Sequence, residues 1–162
     1  MPAFSVHPVD LSTPAHRAAL VTLLDEYART PEGGAEALAQ DVLAALPDAL
    51  AARPHYAGWV AFVDGQPAGL INCFEGFSTF RGKPLMNVHD IIVSAAFRRR
   101  GIAHALLDAV EAEARRRGCC KITLEVLEGN TGAVAAYLQH GFAPYALDPA
   151  MGRAQFFEKK FY

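Results

Sequence analysis

Ile91-Ile92-Val93-Ser94-Ala95-Ala96-Phe97-Arg98-Arg99-Arg100-Gly101-Ile102-Ala103 carries an apolar strand pattern straight into three arginines and a glycine, and the residues that follow take up helical spacing. A turn that opens a helix leaves the first helical N–H groups without intrahelical acceptors and aims them at one point. The helix dipole adds positive potential there, and Arg98, Arg99 and Arg100 add full charges. Gly101 lets the backbone approach a bound group with no side chain in the way. The stretch reads as a holder for a pyrophosphate. Cations at a helix start are mildly unfavourable against the dipole, so an anionic ligand accounts for the arginines better than a merely solvated turn does.

Downstream, Ala103, Leu106, Leu107, Val110 and Ala114 recur at the three-and-four spacing of a buried helical stripe, and Gly118 ends the helix. Ile122, Leu124 and Val126 then alternate with Lys121, Thr123 and Glu125 as a second strand. This strand, helix, strand unit puts a phosphate at a helix start. A dinucleotide site of Rossmann type fits less well, because Gly-x-Gly-x-x-Gly is absent and only Gly101 lies in the turn.

Two motifs carry a resemblance. Arg98-Arg99-Arg100-Gly101-Ile102-Ala103 matches the pattern Gln/Arg-x-x-Gly-x-Gly/Ala, and Asn130-Thr131-Gly132-Ala133-Val134-Ala135-Ala136-Tyr137, closing on His140-Gly141-Phe142, matches an asparagine, a short helix with tyrosine, then Gly-Phe. On these motifs, which span about residues 88–142, the chain resembles the GNAT superfamily of acetyl-CoA-dependent N-acetyltransferases. The resemblance implies an α/β GNAT acyl-CoA N-acyltransferase fold: a mixed, mostly antiparallel sheet flanked by helices, with strands splayed where acetyl-CoA enters. It implies that the backbone of Ile91, Ile92 and Val93 pairs with the pantetheine arm of the cofactor acetyl-CoA. It further implies that Arg98, Arg99, Arg100, Gly101, Ile102, Ala103 and His104 hold the pyrophosphate, and that Asn130 contacts the pantetheine or the helix start. Ala103 stands where the last glycine is usual, Arg99 replaces a common glycine, and Ser94-Ala95 replaces a frequent His-Pro.

Composition bounds the alternatives. A chain of 162 residues, 52% hydrophobic and 20% charged, is most naturally one domain, here 1–162, with a real core. Its formal net charge of -2 makes the arginine triplet a local patch and argues against broad nucleic-acid or membrane-surface binding. Cys73, Cys119 and Cys120 are an odd count that suits free thiols, no zinc spacing appears, and no metal is expected. With no apolar run of bilayer length and no secretory pattern, a soluble cytoplasmic protein is expected. The expected partner is a small-molecule amine, with a homodimer left open as the state of association.

Along the chain, a strand over 4–9 precedes Ser12-Thr13-Pro14, which offers a capping hydroxyl and a proline in the first helical turn. Leu20, Leu23, Leu24 and Tyr27 form that helix's core stripe. A second helix runs through Leu38, Val42, Leu43 and Leu46, with Pro47 and Pro54 marking the region of its end. Strands over 56–63 and 67–77 flank the turn Asp64-Gly65, a loop over 78–84 leads to a strand over 85–93, and residues 143–146 and 155–161 read as a closing strand pair.

Amide formation from a thioester needs an uncharged amine, a held carbonyl and help for the departing thiolate. An alkylammonium with pKa near ~10 must lose a proton first, so a carboxylate, an imidazole or a water path is required. Glu125 lies on the polar side of the strand expected to line the cleft, and its Leu-Glu-Val setting resembles that of a glutamate in protein N-terminal acetyltransferases of the superfamily. A solvated strand glutamate fits the same pattern. Asp90 shares a strand face with Val88 and Ile92, and an unpaired carboxylate there would be costly, so it has a partner or faces a wet cleft.

The segment 74–93 resembles the diamine and thialysine branch, in which two acidic residues receive a cationic amine. His89 stands where the first acid is expected, which removes one negative charge and leaves a histidine that could itself be the base. Tyr137 matches the superfamily's proton donor to the CoA sulfur, although packing alone would read it as a core tyrosine. The substrate side is expected around Tyr27, Phe77, His89 and Asp90, with the connection 32–38 and the loop 77–84. The implied reaction is direct attack of a primary amine, preferably small and cationic, on acetyl-CoA in a ternary complex. The alternatives are an acyl-CoA-binding regulatory module without turnover and an enzyme acting on protein N-termini.

Overall fold

The computed structural model describes residues 3–162. Its elements are β1 (Phe4–Pro8), α1 (Pro14–Ala28), α2 (Gln40–Ala51), β2 (Tyr56–Val63), β3 (Gln66–Ser78), β4 (Lys83–Val93), α3 (Ile102–Arg116), β5 (Ile122–Leu124) and α4 (Thr131–Gln139). The five strands form one sheet in the order β1-β2-β3-β4-β5, antiparallel throughout except for the parallel pair β4–β5. Among the described residues no helix is long and apolar enough to cross a membrane.

Local chemistry explains most of these elements. Asp64 (φ 48°) and Gly65 (φ 76°) form a two-residue turn whose left-handed backbone matches the twist of the β2–β3 hairpin. The α3 stripe buries Leu106, Leu107, Val110 and Ala114 on one sheet face beside Ile71, Met86 and Val88. At Gly69 a Cβ would come within 2.7 Å of Ile102 Cγ2 and 3.1 Å of Leu106 Cδ1, so the absence of a side chain lets the first turn of α3 lie on β3. The other face packs Leu20, Leu23 and Leu24 of α1 and Leu50 of α2 on Val60, Leu70 and Ile92.

Four expectations need correction. Thr13 precedes α1 as expected, but its hydroxyl donates back to Asp10 O (3.0 Å) and caps no helical N–H. Helix α2 begins at Gln40, beyond Leu38, and Pro47 lies inside it. The proline removes one helical hydrogen bond, yet Pro47 and Leu50 are the buried residues of this helix, and burial holds it together. Strand β5 stops at Leu124, and Val126 is exposed. Residues 143–146 and 155–161 form no strands: the whole of 143–162 is exposed, with a single 3₁₀ turn at Pro149–Met151. Alternation of apolar residues records a capacity to pair, and here the segment pairs with no strand of its own chain.

Candidate active site

Two features of the sheet make the site. The first is a gap. Strand β4 pairs with β5 only as far as Val88 opposite Leu124, so residues 89–93 run on with no strand on that side, while Ile91, Ile92 and Val93 remain paired to Ile71, Leu70 and Gly69 of β3. The backbone groups of 89–93 that face away from β3 border this gap.

The second is a β-bulge. Asn72 pairs with Asp90 and its neighbour Cys73 with Val88, so His89 is an extra residue with no partner of its own. The insertion reverses the alternation of β4. Val88 packs on the α3 side and Ile92 on the α1–α2 side, so Asp90 shares a face with Ile92 and not with Val88, contrary to the simple period-2 reading. His89 and Asp90 both turn to the α1–α2 side. There the His89 ring meets Phe74 edge-on, with centroids 4.9 Å apart, and Asp90 Oδ2 accepts from Asn72 Nδ2 at 3.1 Å.

Asp90 thus has a partner. The Tyr56 hydroxyl donates to Asn72 Oδ1 (2.8 Å), fixing the amide so that its NH₂ points at the carboxylate. Burial raises the Asp90 carboxyl above the ordinary value, and the Asn72 hydrogen bond only partly opposes this. Burial, then Cys73 and Asp90, also push the Tyr56 phenol well up. The sequence singles out neither Asn72 nor Tyr56, and an asparagine inside an apolar strand is the one signal available there.

Beside this network lies a second one. Asn87 Nδ2 donates to Thr123 Oγ1 (3.0 Å) and Glu125 Oε1 (3.4 Å), while Asn87 Oδ1 accepts from His89 Nδ1 (2.7 Å). The amide oxygen can only accept, so Nδ1 carries the hydrogen in this arrangement and Nε2 of a neutral His89 keeps its lone pair. Glu125 sits one residue past β5, exposed at the mouth of the gap.

Tyr137 enters from α4. Its ring is buried, packs edge-on against Phe142 (5.9 Å), and its phenol is pushed up to about 12 by burial and by Tyr27. Its hydroxyl makes no hydrogen bond to a described residue and is not sealed from solvent. Tyr27 on α1 is itself raised by burial and by the charges of Asp90 and Glu32. Tyr27 therefore lies within electrostatic reach of both Asp90 and Tyr137. Phe77 is not drawn into this group: it pairs with Pro84 towards the far end of the β3–β4 hairpin and is 62% exposed.

At the arginine turn, Arg99 (φ 63°) and Gly101 (φ 81°) are left-handed, and the first hydrogen bond of α3 is Ala105 N–H to Gly101 O at 3.0 Å. The amides of Ile102, Ala103 and His104 consequently have no acceptor among the described residues. Arg98 Nε donates to Val93 O (3.4 Å) and Arg100 lies over the Phe97 ring (5.3 Å), and none of the three arginines has a carboxylate partner among the described residues. Open amides, unpaired cations and a turn with free space above Gly101 fit a pyrophosphate. Glu26 of α1 accepts from Ala95 N–H (2.9 Å) and ties the turn to the opposite face, a contact with no signal in the sequence. The His104 ring stacks on His140, the residue that ends α4, so only its backbone faces the turn. Asn130 caps α4, its side chain accepting from Ala133 N–H (3.3 Å).

The β4–β5 pair that opens after Val88, followed by a turn of open amides and unpaired arginines, has the geometry expected of an acyl-CoA-dependent transferase site. The chain belongs to the acetyltransferase (GNAT) family, whose model matches residues 19–142, and its cosubstrate is acetyl-CoA. The chain is 28% identical over 131 residues to the thialysine N-epsilon-acetyltransferase of Caenorhabditis elegans, with 77% of this chain and 76% of that protein covered. It is 36% identical over 86 residues to an N-alpha-acetyltransferase of Arabidopsis thaliana, covering 52% of this chain and 43% of that protein. The fold matches an aminoglycoside N-acetyltransferase solved with CoA, at TM-score 0.76 and 19% identity over 99% of this chain and 97% of that one. It also matches a ribosomal-protein-alanine N-acetyltransferase of Brucella melitensis, at TM-score 0.72 and 22% identity over 99% and 100%.

The turn makes a first prediction. Gly101→Val forces a β-branched residue to φ 81°, at a cost of roughly 1–3 kcal/mol in stability. The increase in melting temperature that acetyl-CoA produces by mass action should shrink sharply in this variant. Thermal shift with acetyl-CoA for both proteins checks this, and an undiminished shift would show that the turn does not hold the ligand.

Proposed function

We propose that this enzyme transfers the acetyl group of acetyl-CoA to a primary amine, with small cationic amines favoured, by direct attack within a ternary complex. The observation that carries this reading is the bulge at His89, which turns His89 and Asp90 together onto the face beside the β4–β5 gap. The thioester supplies an activated acetyl group, and the chain's residues do the rest. Asp90 is the base: burial brings its carboxyl nearer the working pH, and the Tyr56–Asn72 chain holds one of its oxygens. Glu125 and Asp90 together give the mouth a negative potential that draws an ammonium group. The backbone groups of 91–93 that face the gap hold the pantetheine in strand fashion, and a gap-facing N–H polarises the thioester carbonyl. Tyr137 presents its hydroxyl to the departing sulfur.

The similarity to a thialysine enzyme supports a free amino group on a flexible chain as acceptor. His89, in place of a second acid, weakens the pull on a doubly charged amine. The substitution His89→Glu should raise kcat/KM for diamines relative to monoamines, whereas Glu125→Gln should raise KM for every cationic amine and leave kcat within about threefold. The test is a kcat/KM profile over diamines, amino acids, aminoglycosides and N-terminal peptides. A preference for peptides would favour the alternative of protein N-terminal acetylation, for which the Leu124-Glu125-Val126 setting and the match to an N-alpha-acetyltransferase are the supporting features.

A further inference from the structure

We propose that Glu26, on α1, is the positioning residue of the cofactor turn: its carboxylate holds the segment between β4 and α3 in the shape that receives the pyrophosphate of acetyl-CoA. The inference rests on the arginine turn being the place where that pyrophosphate binds. Residues 94–100 link β4 to the open amides of Ile102, Ala103 and His104, so their course decides where those amides and Arg98, Arg99 and Arg100 point. Little of this link is packed. Ser94 is buried and Phe97 rests on the core, whereas Ala95, Ala96, Arg98 and Arg99 are exposed, and Arg99 is left-handed. A stretch with so few buried contacts depends on its tethers.

Ala95 begins a single 3₁₀ turn, Ala95–Phe97, and Ser94 ahead of it makes no side-chain cap. The Ala95 N–H therefore has no acceptor within its own segment. Its acceptor comes from 69 residues away, Glu26 Oε1 at 2.9 Å. Ser94 N–H donates to Ala68 O and Phe97 N–H to Ser94 O, both at 2.9 Å, so with Glu26 in place the link is pinned at Ser94, Ala95 and Phe97. From Phe97 the constraint passes on, because the Arg100 guanidinium lies over its ring at 5.3 Å and Gly101 follows directly.

Two features set Glu26 apart from an ordinary helix glutamate. It lies in the last turn of α1, where the helix dipole disfavours an anion. Its neighbour Asp25 offsets the same cost by accepting from Leu38 N–H (2.9 Å) and Arg29 Nε (3.0 Å), but Glu26 pairs with no cation among the described residues. The second feature is its place: an unpaired carboxylate beside a turn built for a polyanion repels the ligand. A charge adverse both to its helix and to the cofactor is accounted for by what its oxygen holds. Hydrogen bond and charge thus act on affinity in opposite directions, and substitution separates them. Glu26→Gln removes the charge and keeps an oxygen that can accept from Ala95, whereas Glu26→Ala removes both.

The test is calorimetric titration of acetyl-CoA into the full chain, with hydrogen exchange of the free protein alongside. Glu26→Ala should weaken acetyl-CoA binding about tenfold, the scale of one hydrogen bond to a charged group. It should also speed exchange of the Ala95 and Phe97 amides while the amides of α3 keep wild-type protection. Glu26→Gln should bind within about twofold of wild type or more tightly, since the hydrogen bond remains and the repulsion is gone, and should exchange as wild type does at Ala95. Should Glu26→Ala not fold, Glu26→Met, of similar length and with no oxygen, gives the same comparison. Tighter binding in both Glu26→Ala and Glu26→Gln would reduce Glu26 to an adverse charge. Equal weakening in both would make its charge, and not the bond to Ala95, the active property. Either result overturns the proposal, and so does unchanged affinity in Glu26→Ala with the Ala95 amide freed. An undiminished thermal shift in Gly101→Val would instead overturn the turn as the holder of the pyrophosphate, and this inference with it.

Discussion

Asp90→Asn is expected to lower kcat/KM for cationic amines by roughly a hundred- to ten-thousand-fold, the range for a lost general base, and to remove the acidic limb of the pH–rate profile. The same change should not harm folding. The amide oxygen introduced by the substitution can still accept from Asn72 Nδ2, so the geometry of the network survives. The wild-type carboxyl is held above its ordinary 3.8, chiefly by burial, which means that the ionised form disfavours the folded state. Its contribution to stability is full below the unfolded value near 3.8 and is lost as pH rises through the higher folded value. The melting temperature of Asp90→Asn should therefore equal or exceed that of wild type at neutral pH, and the advantage should shrink as pH falls towards 3.8. Paired kinetic and thermal pH series check both halves. A variant that keeps the wild-type acidic limb would remove Asp90 from the chemistry and leave His89 or water as the base.

Tyr137→Phe is expected to lower kcat by about ten- to a hundred-and-fifty-fold with acetyl-CoA affinity near wild type. The size follows from how the phenol is held. With its pKa pushed up to about 12, it lies some units above a thiol like that of cysteine, ordinarily ~8.5, so complete proton transfer to the departing sulfur is uphill. What the hydroxyl offers is a positioned hydrogen bond to developing negative charge, worth about 1.5–3 kcal/mol. That is a smaller role than full general acid catalysis, and it makes a second expectation: because the phenol stays protonated below pH ~10, the unperturbed tyrosine value, the variant should keep the shape of the wild-type profile. Stability should change little, since the ring and its contact with Phe142 remain. Single-turnover kinetics isolate the chemical step, and unchanged turnover there would leave Tyr137 as a packing residue alone.

Much of the site was legible because it is local. The strand, arginine turn and helix form one continuous stretch, and the φ values and open amides of the turn are dictated by neighbouring residues. Asn130 capping α4 and Tyr137 two turns later are likewise local, set by helix geometry. The partners of Asp90 were not legible. Asn72 and Tyr56 lie 18 and 34 residues earlier, and nothing in a period-2 reading of β4 marks the extra residue at His89. A bulge is a property of two strands in register, and one strand read alone has no register.

The sequence by itself therefore determined the class of fold, the family and the start of α3 after the arginine turn, because each rests on short-range patterns: the α3 stripe, Gly101 ahead of the helix and the two spaced motifs. Only the tertiary structure decided which face Asp90 and His89 occupy, that Pro47 stays within a helix, and that the apolar segment after Phe142 pairs with no strand of its own chain. The physical reason is common to all three. Side-chain alternation and helix propensity state what a segment can pack against, whereas pairing register and burial depend on which distant surface is there to receive it.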